Sequence, residues 1–259
     1  MLRGLAKTAF ATVDLVLPAP SGPRILIYHQ VGVGLGRQME VGTGDFRRQI
    51  AWLAKHREVV DIETALQRWQ APGAERLVVL TFDDGYADLF TTAFPIMREA
   101  GMPFTLYVAT DLIGEEAEGP GGERALQWDQ VTEMLGSGLM TPGSHTRSHP
   151  DVRTLSTDQV EDELESSDAI IERELGVQSR HFAYPYGFWS DTADPVVRAR
   201  YDSAVLGGSP RPRHAPDPHL LHRYPVQLSD GFGFFKARLR RGFRAEEALR
   251  RALKGYRGP

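Results

Sequence analysis

The chain has 259 residues, a net charge of −4, a hydrophobic fraction of 41% and a charged fraction of 25%. That is enough to bury one large α/β core, and the balanced charge leaves no electrostatic footprint for nucleic acid. There is no cysteine, which excludes disulfides and thiolate chemistry and leaves His, Asp and Glu to hold any metal.

In chain order, residues 1–23 read as an N-terminal extension. Arg3 and Lys7 precede an apolar stretch, but Asp14 interrupts it and no convincing cleavage site follows, which favours a cytoplasmic or membrane-peripheral placement over secretion. No stretch approaches the roughly 20 apolar residues of a spanning helix. From Arg24 onward, short apolar runs alternate with amphipathic segments. The runs RILIYH, LVVLTF, FTLYVAT, LMTPGSH, SRHFAYP, YDSAVL and LLHRYPV predict seven strands. Between them lie helical patterns: DFRRQIAWLAKH, ADLFTTAFPIMREAG with a kink expected at Pro95, QWDQVTEMLGSG, and STDQVEDELESSDAIIERELG. In the last, Ser156 and Gln159 form a capping box, Val160, Leu164, Ile171 and Leu175 share a face, and Gly176 ends the helix. Strand then helix, repeated about seven times, predicts a mainly parallel sheet or barrel. The Gly-rich Gly114–Arg124 and the Pro-rich Gly207–His219 read as loops. The basic residues 229–259 read as a helical tail, either a solvated surface helix or an element docking on an anionic membrane or polymer.

Two motifs stand where strands end. Asp83 and Asp84 follow an apolar run, where unpaired charge is costly to bury. His145 and His149 stand four apart, and Pro150 disfavours a helix there, so the pair belongs on a loop at a strand end. In α/β folds of this kind the C-terminal strand ends gather functional groups on one rim. Two imidazoles and a carboxylate with open positions suit a catalytic metal, zinc first, with nickel, cobalt or iron(II) also fitting. Adjacent residues of a strand point opposite ways, so one aspartate can ligate while its neighbour acts as base.

On TFDDGY and SHTRSHP, supported by RILIYHQVG, MPFTLYVATDLIG and FAYPYG in the same order, the chain resembles the polysaccharide deacetylases with a NodB-homology domain. It is closer to the branch acting on poly-N-acetylglucosamine-like polymers than to the chitin deacetylases. The resemblance spans Arg24 to about Val226, giving a domain at 24–228 between the extension and the tail, and implies a distorted (β/α)7 barrel. It implies Asp84, His145 and His149 as ligands of a divalent metal and Asp83 as the base. It also implies that the Tyr186 backbone N–H faces the oxyanion and that Tyr184, Pro185 and Tyr186 line a sugar groove. The family arginine that orients the base is replaced by Ala183. The late family motif offers His222 as acid, or Arg223 in its place. His29, ending the first strand, and Trp128, opening a helix, are further candidates for the groove, each with a structural alternative. His181 is expected to be structural.

The implied activity is removal of N-acetyl groups from an N-acetylglucosamine-containing glycan, releasing acetate. Alternatives are a deacylase of another glycan such as O-acetyl xylan or peptidoglycan, and a sugar-binding pseudoenzyme on the same barrel. A glycosidase is disfavoured: two neighbouring aspartates cannot flank a glycosidic bond from both sides.

Overall fold

All seven apolar runs become strands of the computed structural model, which describes residues 22–114, 124–207 and 217–241. They are β1 (Arg24–Tyr28), β2 (Leu77–Asp84), β3 (Phe104–Val108), β4 (Met140–Ser144), β5 (His181–Ala183), β6 (Ser203–Leu206) and β7 (Leu221–Pro225). Every neighbouring pair is parallel, each strand lies beside its successor, and β7 returns to β1, closing a seven-stranded barrel. Strands buried on both faces need no polar alternation, which is why they read as continuous apolar runs. Short extra strands, Gln30–Val31 with Glu40–Val41 and Glu58–Val59 beside β2, carried no signal of their own in the sequence.

The helices α1 (Thr43–His56), α2 (Ile62–Gln67), α3 (Phe94–Glu99), α4 (Trp128–Gly136), α5 (Thr157–Leu175), α6 (Ala193–Arg200) and α7 (Phe232–Arg241) connect or follow the strands. In α5 the Ser156–Gln159 capping box forms, and Gly176 caps the C-terminus at φ 69°. Ahead of Pro95 the chain makes a π-helical turn, Leu89–Ala93, that runs directly into α3. Proline lacks the N–H that would continue a regular ladder, so the expected kink takes the form of a change in helix type.

Side chains of β1–β7 split between two layers. Ile25, Leu77, Val79, Tyr107, Ala183, Val205 and Leu221 form one cluster inside the barrel, joined by Ile62 and Ala65 of α2. Alternate residues such as Leu26, Leu80, Phe82, Leu106 and Tyr224 meet the helices outside. Gly143 in β4 lies where a Cβ would stand 2.5 Å from the Tyr107 ring, so only glycine lets that ring fill the interior. α7 belongs to the outer layer: Phe235 and Leu239 are buried there, and Phe235 meets Trp52 edge-on at 6.2 Å. The N-terminal extension up to residue 21, the loop interiors 115–123 and 208–216, and the tail beyond residue 241, where contact with an anionic surface is expected, lie outside the described residues. No described helix is long and apolar enough to cross a membrane.

Candidate active site

The alternation of β2 sets Leu77, Val79, Thr81 and Asp83 on its inward face. At the strand end the pattern breaks: Asp84 adopts φ 71° and Gly85 φ 100°. A side chain at Gly85 would meet Ile113 at 2.2 Å, so glycine is required to turn the chain there. Across the rim, His145 follows directly on β4. His149 closes the next turn with φ 59°, after Thr146 at φ 68°, and its N–H donates to Thr146 Oγ1 at 3.1 Å.

These two turns bring three ligating groups together. Asp84, His145 and His149 each present an atom within 4.8 Å of the others. Asp84 Oδ1 is 3.5 Å from His145 Nε2 and 3.4 Å from His149 Nε2. Two tetrahedral ligands at zinc bond lengths stand about 3.4 Å apart, by simple geometry on those lengths. His145 Nδ1 lies 2.7 Å from the carbonyl oxygen of Ala183. A carbonyl only accepts, so that nitrogen carries the proton, and in the neutral ring Nε2 turns a lone pair toward the carboxylates. Asp84 Oδ1, itself buried, accepts no hydrogen bond. An acceptor facing acceptors in a dry site is what a cation resolves, so the residues fit a divalent metal.

For Asp84 and His149 the electrostatics agree. Burial alone would raise the Asp84 carboxyl, but His145, His29 and His149 outweigh it and hold its pKa well below the ordinary value. Burial and then His145 lower His149 to about 4, which leaves it neutral at pH 7, as a ligand must be. His145 moves the other way: burial opposes its charge, yet Asp83 and Asp84 prevail and raise its pKa.

Asp83 is held by Arg223, the residue that the late motif offers only in place of His222. Arg223 donates from Nη1 to Asp83 Oδ1 at 2.6 Å and from Nη2 to Oδ2 at 2.7 Å. Nη1 also reaches Thr81 Oγ1 at 3.2 Å, and Nε reaches the Leu206 carbonyl at 3.3 Å. Both partners are essentially inaccessible. Burial, the largest influence on Asp83, raises its pKa, but Arg223 and then His145 outweigh it, so the carboxylate stays ionised. Its Oδ2 is 3.8 Å from His145 Nε2, so it stands beside the ligand cluster. The guanidinium absent at Ala183 therefore arrives from β7. The Ala183 methyl sits in the interior cluster, while its carbonyl orients His145.

Other candidates fall differently. Leu221 and Arg223 face inward, so alternation puts His222 on the outer side of β7, away from the cluster; the structure does not bring it to the site as an acid. Tyr184 is fully buried against Phe182, with ring centroids 5.0 Å apart, and Pro185 is buried too; neither offers a surface to a sugar. Tyr186 does: it is 61% exposed, and its ring lies 4.7 Å from that of His149. His29 is half-buried at the end of β1, with Nδ1 enclosed and without a hydrogen bond. Burial lowers its pKa, against the opposing charges of Asp84 and Asp83. Trp128 packs against the outer core at the start of α4. His181, at the opposite end of the barrel, pairs with Ser203 Oγ at 2.9 Å.

Comparison with known proteins gives the same answer. The family model for polysaccharide deacetylase matches residues 70–201. YxkH of Bacillus subtilis (strain 168) is 26% identical over 216 residues, 82% of this chain and 73% of that one. A poly-beta-1,6-N-acetyl-D-glucosamine N-deacetylase of Staphylococcus aureus (strain MSSA476) is 25% identical over 175 residues. That match covers 62% of this chain and 59% of the enzyme, so the chain spans less than two thirds of that relative's length. Among solved structures, IcaB from Ammonifex degensii superposes with a TM-score of 0.74 at 25% identity, over 87% of this chain and 98% of that one. The Streptococcus pyogenes deacetylase PplD in complex with acetate shares the fold, with a TM-score of 0.73 at 24% identity over 84% and 97% of the two chains. A family match across half of the sequence, on a barrel closed in the same way, establishes that this chain belongs to the polysaccharide deacetylase family.

Proposed function

We propose that the protein removes N-acetyl groups from a polymer containing N-acetylglucosamine, using a divalent metal, zinc first, held by Asp84, His145 and His149. The observation that carries this reading is the juxtaposition of two devices on one rim. A three-ligand cluster has the spacing and donor set of a divalent-metal site, and beside it a carboxylate is kept ionised by a bidentate arginine. When bound, such a metal lowers the pKa of a water toward about 7 and polarises an acyl oxygen as a Lewis acid.

The chain's own residues do the rest. Asp83 accepts the proton of the attacking water at a carboxylate oxygen, and Arg223 fixes the plane of that carboxylate. A planar, two-point grip costs less order at the moment of reaction than a single hydrogen bond. The backbone N–H of Tyr186 donates to the oxygen on which negative charge develops. Asp83 then returns the proton to the departing amine, so that acetate and a free amine leave. The exposed Tyr186 ring offers its face to the sugar, and His29 borders the same rim.

The relatives' polymer, an N-acetylated glucosamine chain, is the first substrate to try. Acetate release from N-acetylglucosamine oligomers, O-acetylated xylan and peptidoglycan fragments separates the readings. Turnover confined to the first supports the proposal; turnover on O-acetyl xylan alone, or binding of oligomers without any acetate release, overturns it.

A further inference from the structure

The loop carrying both histidines is held from behind by a residue outside every motif. Glu163, in the second turn of α5, is 9% exposed. Its Oε2 accepts the backbone N–H of Arg147 at 3.0 Å and of Ser148 at 2.9 Å, and its Oε1 accepts the Ser148 hydroxyl at 2.7 Å. The guanidinium of Arg147 lies 3.8 Å away. One turn further along α5, Ser167 Oγ is 2.9 Å from Ser144 Oγ, which also accepts the Thr146 N–H at 3.4 Å. From the other side, the carbonyls of Thr146 and Arg147 accept the N–H groups of Thr110 and Asp111 at 3.3 and 2.9 Å.

These bonds, with that of the His149 N–H to Thr146 Oγ1, engage every peptide unit between the two histidines. They matter because Thr146 and His149 both occupy the left-handed region, which a free loop of non-glycine residues would leave. A buried carboxylate with three donors is well satisfied, whereas the same three donors without it would be stranded or would pull the loop open.

We propose that Glu163 is a positioning residue of the metal site. Through the Arg147 and Ser148 amides it sets the spacing of His145 and His149, and hence the affinity and geometry with which they hold a cation, without touching cation or substrate. This rests on the reading of Asp84, His145 and His149 as metal ligands. Outer-sphere partners of metal ligands typically contribute 10- to 100-fold in affinity.

The test is a Co2+ titration of the metal-free full-length protein, followed by its visible absorption bands. Glu163→Ala should bind about 10- to 100-fold more weakly, with shifted bands. Glu163→Gln should fall between, since its amide oxygen can accept the two N–H groups but its nitrogen cannot accept the Ser148 hydroxyl. Ser148→Ala, which leaves Glu163 in place, should give a smaller loss of the same sign. A merely structural role would lower thermal stability and leave affinity and spectrum of the folded variants unchanged; that result overturns the proposal. If Glu163→Ala does not fold, the near-isosteric Gln variant decides. A wild-type protein that binds no Co2+ refutes the metal reading itself, whereas wild-type binding with unaltered variants refutes only the role of Glu163.

Discussion

The two ends of the barrel use the same residue types to opposite ends. At the lower end, where the strands begin, His181 is buried, pairs with the Ser203 hydroxyl, and lies 3.5 Å from the half-exposed Glu63 carboxylate. Burial is the largest influence and lowers its pKa. At the upper end His145 is just as buried, yet its pKa rises, because two carboxylates face it rather than one at the surface. The backbone differs in the same way. Among the described residues every non-glycine with a left-handed φ, namely Asp84, Thr146, His149 and Tyr186, sits at or shortly after a strand's C-terminal end. Each such residue costs about 1–2 kcal/mol. The lower end is closed by apolar side chains such as Ile62 and Ala65 of α2. Among the described residues the left-handed non-glycine backbone gathers at the upper rim, and the apolar cluster below it supplies stability that holds it.

Substitutions at the upper end should break this contrast most. Asp84→Ala or His145→Ala should abolish metal binding and lower acetate release by more than the about 100-fold typical of losing an outer-sphere partner; metal content and initial rates on N-acetylglucosamine oligomers check this. Asp83→Asn should keep the metal and lose about 10²–10⁴-fold in turnover, the usual contribution of a general base. Full activity in that variant would contradict the assignment. Arg223→Ala leaves the Asp83 charge buried without its partner and should cost about 3–5 kcal/mol of stability, read from denaturant midpoints, along with a fall in turnover. Replacing Asp83 and Arg223 together by Asn and Met should recover part of that stability while leaving turnover lost.

At the lower end the effect should be small and of a different kind. The folded pKa of His181 lies below its unfolded value near 6.5. Its contribution to stability is therefore present above pH 6.5 and is lost as pH falls below that value, because the unfolded chain binds the proton more readily. His181→Asn should flatten the pH dependence of the unfolding free energy between pH 8 and 5, by no more than about 1.4 kcal/mol per pH unit, with turnover at pH 8 unchanged. A loss of turnover would place His181 in the catalytic machinery.

Much of this was legible in the sequence. Seven strands announced themselves because a doubly covered barrel strand is apolar throughout, and Asp83, Asp84, His145 and His149 stood out as polar groups at strand ends. The phase of β7 did not. In LLHRYPV two adjacent leucines leave open which neighbour faces inward, so the sequence offers His222 for the site and Arg223 only in its place, whereas Arg223 is the one that reaches Asp83. Tyr184 and Tyr186, two apart in a Pro-rich turn, looked equivalent, yet the left-handed Tyr186 swings out while Tyr184 stays in the core. Glu163 did leave a trace. With Val160, Leu164, Ser167 and Ile171 it falls on the buried face of α5, and a carboxylate in an apolar stripe needs donors from elsewhere in the fold. What a sequence cannot display is where those donors are, because the amides of Arg147 and Ser148 become available only once the loop has turned.

The central claim, that a cation held by Asp84, His145 and His149 drives deacetylation, is tested most directly by stripping the protein with a chelator and restoring zinc stepwise. Acetate release from an N-acetylglucosamine oligomer should vanish on stripping and return in proportion to zinc bound, saturating near one equivalent. Undiminished release from the metal-free protein, or restored binding without any release from N-acetylated glycans, would contradict it.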